Sequence, residues 1–203
     1  MSIAVIAGTI STVLAIYSAV PYIRSVMNGK TKPDRLGWLV FTIMNGMVFF
    51  AQFFSGGRSS TLVSLAFFLF SATVFLLSFL KGTTSSTKTT KLLFVFAMIT
   101  MIIWALTKNN DIAIWLTVLI DLFATAIIIL KTRKHPGTEN VESWVIGTLA
   151  YVFSCIALYQ VPIGILYVRP IYGLVLDTAL VVSIYYYNSK SGISIKRQQG
   201  VRK

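Results

Sequence analysis

A chain of 203 residues that is 56% hydrophobic and 12% charged, with a mean hydropathy of +0.77, carries too little charge to cover the surface of a soluble domain. Its formal net charge of +12 invites nucleic-acid binding. The basic residues are confined to short segments between apolar blocks, however, which argues against nucleic acid as a partner and for a lipid bilayer.

The apolar blocks fall at 3–23, 36–54, 61–80, 92–106, 112–130, 142–160 and 168–187. A block of about 20 residues crosses a ~30 Å hydrocarbon core as a helix. Backbone polar groups cannot be left bare in lipid, so each block is predicted helical. None shows the alternating polarity of a barrel strand. The first block has no basic segment before it and is as long as a full span, so it reads as a membrane helix and not as a cleaved signal. Pro33 and Asp34 precede the second block, where Asp34 can cap the free N–H groups. Gly56-Gly57 and Lys81-Gly82 end the second and third blocks, and the Ser/Thr-rich stretch Gly82–Lys91 is the longest predicted linker. A short fourth block follows. Asn110 and Asp111 can cap the fifth and Asn140 the sixth, while Pro162 and Pro170 blur the boundary before the seventh.

Of the 18 basic residues, 15 fall in 24–35, 81–91, 131–134 and 190–203, and only Arg58, Lys108 and Arg169 fall in the alternate loops. Basic residues are retained in the cytoplasm, so this split predicts seven spans in a plasma (inner) membrane, with the N-terminus outside and the C-terminus cytoplasmic. The basic tail reads first as a solvated topology signal, and second as a segment lying on anionic lipid.

The chain also repeats. Lys30–Trp38 reads KTKPDRLGW and Pro136–Trp144 reads PGTENVESW, each opening a helix with a tryptophan. Laying Trp38 on Trp144 gives an offset of 106 residues, which superposes the first three blocks on the last three. The predicted organisation is all-α: a first three-helix repeat at 1–80, a linker with a short fourth helix at 81–110, a second repeat at 111–187 and a basic tail at 188–203. The fourth helix restores direction, so the halves are parallel repeats.

This three-plus-one-plus-three plan resembles the SWEET sugar transporters and the wider PQ-loop superfamily. The segment VPYIRSVMNGKTKPDRLGW, Val20–Trp38, resembles the PQ-loop signature: a proline late in the first helix, a short basic loop, then a helix opened by an aromatic. Pro21-Tyr22 stands where the signature has proline-glutamine, and Ile127-Ile128 stands there in the second half. The closest likeness is to bacterial members with a YIR…TKP…W pattern, and vitamin transporters of the Pnu type share a similar plan. The resemblance implies a solute site midway along the axis between the two triplets, and association into homo-oligomers.

Two acids lie inside apolar blocks. Asp121 is the tenth residue of the fifth block and Asp177 the tenth of the seventh. Both blocks run in the same direction, which places both carboxyls near the bilayer midplane. A carboxylate there costs ~2.5–3.5 kcal/mol on insertion scales, so it must face the bundle interior or water. They read as a solute-binding or proton-carrying pair, against the plainer alternative of an acid making one interhelical hydrogen bond. Asn45 and Tyr151 share that height and are repeat mates, and Ser71 is the mate of Asp177. By the resemblance, Asn45, Ser71, Tyr151 and Asp177 are the pocket candidates. Asp177 on the seventh helix puts a neutral sugar in doubt and suits a cation, an amine or proton coupling. Asn45 reads equally well as interhelical glue. Pro21 can hinge a gate or simply end its helix. Trp38 and Trp144 are expected as interfacial anchors, Tyr185–Tyr187 as an interface belt, His135 as a solvated loop residue and Cys155 as a small buried one.

Enzyme readings fare poorly. One histidine and one cysteine cannot build a usual metal site. No Ser-His-Asp set forms with His135 outside the membrane. Ile120-Asp121 and Leu176-Asp177 do not match the motifs of aspartyl intramembrane proteases. No lysine lies within a block to hold retinal, and no GxxxxGK[ST] motif occurs. The sequence therefore calls for no enzyme, metal or cofactor. It predicts a transporter of a small polar solute or cation, with a non-transporting receptor or scaffold as the alternative.

Overall fold

The computed structural model describes residues 3–54, 59–84, 87–107, 110–157 and 165–193; of these, the side chains of 51–54, 59–64, 110–114, 165–167 and 169 are not described. Gly56-Gly57, Arg58, Lys108, Pro162 and the basic tail from residue 194 therefore lie outside the described residues, as does the side chain of Arg169. Among the described residues the fold is all-helical, with seven helices: α1 (Ile3–Met27), α2 (Arg35–Phe54), α3 (Ser59–Lys81), α4 (Lys88–Leu106), α5 (Asn110–Lys134), α6 (Val141–Ala157) and α7 (Ile165–Lys190).

The helix ends follow from local chemistry. Asp34 Oδ1 accepts the Gly37 N–H at 3.0 Å and starts α2; Asn140 Oδ1 accepts the Ser143 N–H at 2.8 Å and starts α6. Each satisfies an N–H that the helix leaves without a partner. α4 is not short. Thr87 caps it through the Thr90 N–H at 3.1 Å, so the polar turn from Lys88 joins the helix and the preceding linker shrinks. Two helices stop at a left-handed glycine. Gly29 (φ 70°) and Gly192 (φ 68°) each follow the last turn, with paired bonds such as Lys30 N–H to Ser25 O and Ile193 N–H to Asn188 O. This closure needs a backbone conformation that side chains with a Cβ resist. α7 thus runs three residues past the predicted start of the tail, and its Asn188 is buried and accepts the Gly137 N–H at 2.7 Å.

Polarity is distributed in reverse of a soluble protein. Large apolar side chains lie outside, with Leu80 and Leu106 each 78% exposed and Ile3 73%. Asp34, Asn45, Ser71, Asp121, Lys131, Glu139 and Asn188 lie inside. Contiguous apolar surface on this scale needs a lipid or protein cover. Ile3–Met27, Lys88–Leu106, Trp115–Lys134 and Pro170–Lys190 are long and apolar enough to cross a membrane, and Arg35–Phe50, Leu65–Lys81 and Val141–Ala157 are shorter apolar helices.

α1 packs against α6 and α3, α2 against α3, α5 and α4, α5 also against α4 and α7, and α6 against α7. The apolar stretch of α5 is 44% buried, against 17–22% for α1, α4 and α7, so α5 runs through the middle of the bundle. Asp121 sits halfway along it.

Candidate functional site

The site is built in two layers. The first lies at the end of the bundle that carries the basic loops. α1 brings Tyr22, α2 brings Trp38 and α6 brings Trp144, and the three rings pack together. The Tyr22 and Trp38 centroids are 4.9 Å apart, and those of Trp38 and Trp144 6.2 Å. Beneath them Lys131 of α5 meets Glu139 at 2.6 Å, both side chains fully buried. Lys131 also donates to Thr138 O at 2.8 Å. The other carboxylate oxygen of Glu139 accepts the Tyr22 hydroxyl at 3.0 Å and the Trp144 indole N–H at 3.3 Å. Trp38 donates its own N–H to the Tyr22 oxygen at 3.1 Å. A buried charge pair survives only when its remaining hydrogen-bonding positions are filled, and here both Glu139 oxygens are.

This layer corrects three expectations. Trp38 is 2% exposed and is a core residue, not an interfacial anchor. Lys131, read as one of the basic loop residues, forms a buried pair with Glu139 instead. The polar edges of the indoles explain the first, since each finds a partner inside and needs no headgroup. Pro21 lies inside α1, which continues to Met27, so it does not end its helix. Its carbonyl accepts the Asn140 side chain at 3.4 Å, which ties this bend-prone position to the cap of α6.

The second layer is a cavity of about 80 Å³ directly above the rings, at mid-helix height. That is room for on the order of five waters or a compact solute. The structure places all five predicted residues on its wall: Asn45, Ser71, Asp121, Tyr151 and Asp177. Asn45 and Ser71 come from the first half and the other three from the second. The Asn45 amide points to the Ser71 oxygen at 3.4 Å, and Ser71 donates to Phe67 O at 2.8 Å. Asp121 is buried, and Asp177 lines the same cavity wall. No donor among the described residues reaches the Asp177 carboxyl. Thr73, two residues beyond Ser71 on α3, lines a separate apolar groove between α1 and α3. His135 is exposed and Tyr185 and Tyr186 are exposed at the surface, while Cys155 is partly exposed and not buried.

Glycines let α6 and α7 approach. A Cβ on Gly147 would sit 3.0 Å from Asp177 Oδ2, and one on Gly173 would sit 2.5 Å from the Tyr151 ring. Gly173→Ala should therefore drive that ring into the cavity. The expected cost is about 1–3 kcal/mol of stability, read as a lower unfolding temperature of the purified protein in detergent.

Sequence reasoning missed Tyr22, Lys131 and Glu139. The one signal was a break in the repeat: at the offset of 106 their mates are Ile128, Ser25 and Pro33, none of which could complete a second copy of the network.

A bundle of apolar helices around a largely aromatic cavity that holds two carboxyl side chains defines a helical membrane-type protein. Against known proteins, the chain matches no family model, no curated protein and no solved structure.

Proposed function

We propose that this chain is a seven-span transporter of SWEET/PQ-loop type, N-terminus outside and C-terminus cytoplasmic, which moves a small polar solute or cation by alternating access around the central cavity. One observation carries the reading: five residues chosen for depth and repeat position converge on one cavity, and that cavity lies between the two halves. The helix pairings support the repeat. Exchanging α1, α2 and α3 for α5, α6 and α7 turns α1–α3 into α5–α7, α2–α3 into α6–α7 and α1–α6 into α2–α5, and all six pairs occur. Details repeat as well. The caps Asp34 and Asn140 are 106 apart, as are Thr42 and Thr148, whose hydroxyls donate to the carbonyls of Trp38 and Trp144 at 2.7 and 2.8 Å.

In a two-fold arrangement a residue meets its own mate only near the axis. Lys32 N–H donates to Thr138 O at 2.9 Å and the rings of Trp38 and Trp144 pack, so the axis runs through the aromatic layer and up into the cavity. A site on that axis is the place where two rocking halves can expose a solute to either side. With the basic loops in the cytoplasm, the aromatic layer and the Lys131–Glu139 pair form the closed inner gate, and Pro21 is its hinge.

The test is accessibility. Ser71→Cys in a Cys155→Ser background should react with a membrane-impermeant methanethiosulfonate added to intact cells. It should also react when the reagent is added to inside-out vesicles, more slowly. A dry core that protects the thiol from both sides would instead support the receptor or scaffold alternative.

A further inference from the structure

We infer that the cavity selects a compact organic cation, a solute with a positively charged nitrogen, over sugars and anions. This deepens the transporter reading and rests on it for the cavity being a solute site. The argument is an accounting of what the wall can still offer. Most of its donors are already committed, the second amide hydrogen of Asn45 being left over. Ser18 donates to Ala15 O at 2.7 Å, Ser71 to Phe67 O, and the Ser143 hydroxyl to Asn140 at 2.8 Å. The Tyr22 hydroxyl and the Trp144 N–H serve Glu139, and the Trp38 N–H serves Tyr22. A sugar needs donors and acceptors in an alternating array, and an anion needs several donors; this wall has spent most of its own on the protein.

What the wall offers a solute is of the opposite kind. No lysine, arginine or histidine is among the lining residues, and the nearby Lys131 is neutralised by Glu139. Asp177 lines the cavity and no donor among the described residues reaches it, and Asp121 adds a second carboxyl. Around them stand aromatic rings of Trp38, Trp144, Phe41 and Phe70. Aromatic walls with a carboxylate attract a cation both through the ring quadrupole and through direct pairing. The acids belong to one half only. The mates of Asp121 and Asp177 are Ala15 and Ser71, so the positive group is held by α5 and α7 while the first half supplies an uncharged wall.

The probes are methylammonium, tetramethylammonium, choline and guanidinium, set against glucose and 3,3-dimethyl-1-butanol, the uncharged isostere of choline. The full chain is purified in detergent, and thermal unfolding and tryptophan fluorescence are followed. At least one cation should raise the unfolding temperature saturably and shift the emission, while the isostere and glucose do neither. Asp177→Asn should weaken that cation at least tenfold, and Asp121→Asn serves if the first variant does not fold. The inference is overturned if none of the four cations acts, or if the isostere or glucose acts as well as any cation. The two readings fail separately. A reactive Ser71→Cys thiol without cation binding removes the substrate class and leaves transport standing; cation binding with a thiol protected from both sides does the reverse.

Discussion

Replacing Lys131 with methionine should destabilise the protein by about 3–5 kcal/mol, the cost of leaving one partner of a buried pair uncompensated. Glu139 is fully buried and would be left with only Tyr22 and Trp144 to satisfy it. The effect should spread beyond α5, because Tyr22 links Glu139 to Trp38 and hence α1 to α2. Glu139→Leu alone should cost a similar amount by orphaning the ammonium. The double substitution should recover much of the loss, since a buried pair exchanged for apolar side chains of similar volume is often close to neutral. The measurement is a double-mutant cycle on unfolding temperature in detergent, and a double variant no better than the worse single one would rule out direct coupling. Function separates the roles. If the pair latches the inner gate, the stable double variant should let a thiol reagent reach Ser71→Cys from the vesicle side that carries the basic loops more readily than the unaltered pair does.

How much of this was legible beforehand depends on which forces set each feature. The seven helices were readable because apolar block length and capping residues act locally: Asp34 and Asn140 were picked as caps and are caps. The boundaries that slipped did so where polar side chains joined a helix, as Lys88 did in α4 and Asn188 in α7. The cavity residues were readable because depth along a helix is a sequence coordinate. Asp121 and Asp177 share one depth, and burial cost forces both inward. The Lys131–Glu139 layer was not readable, because direction around a helix axis decides it. Lys131 follows an apolar run just as a loop cation does, and only the packing of α5 in the middle of the bundle turns it toward Glu139. The tryptophans misled for the same reason, since a ring at a helix start can face headgroups or the axis.

Asp177→Asn should leave the protein as stable as before or stabilise it by about 0.5–2 kcal/mol, while cutting solute movement by tenfold or more. The two halves of that statement come from one geometry. Asp177 receives no hydrogen bond from the described residues and shares the cavity wall with Asp121, so its carboxyl adds little to holding α7 in place. An amide of the same shape removes the interaction between two like groups, a substitution of the kind that gains stability where function had cost it. A bound cation, by contrast, loses a charge-assisted contact worth ~1.5–3 kcal/mol, which is roughly ten- to hundredfold in affinity. The check pairs an unfolding curve with uptake of radiolabelled choline or methylammonium into proteoliposomes. A residue that merely glues helices together would move the first reading and not the second. A drop in stability with transport intact would assign Asp177 to packing and take the cavity's charge out of the mechanism.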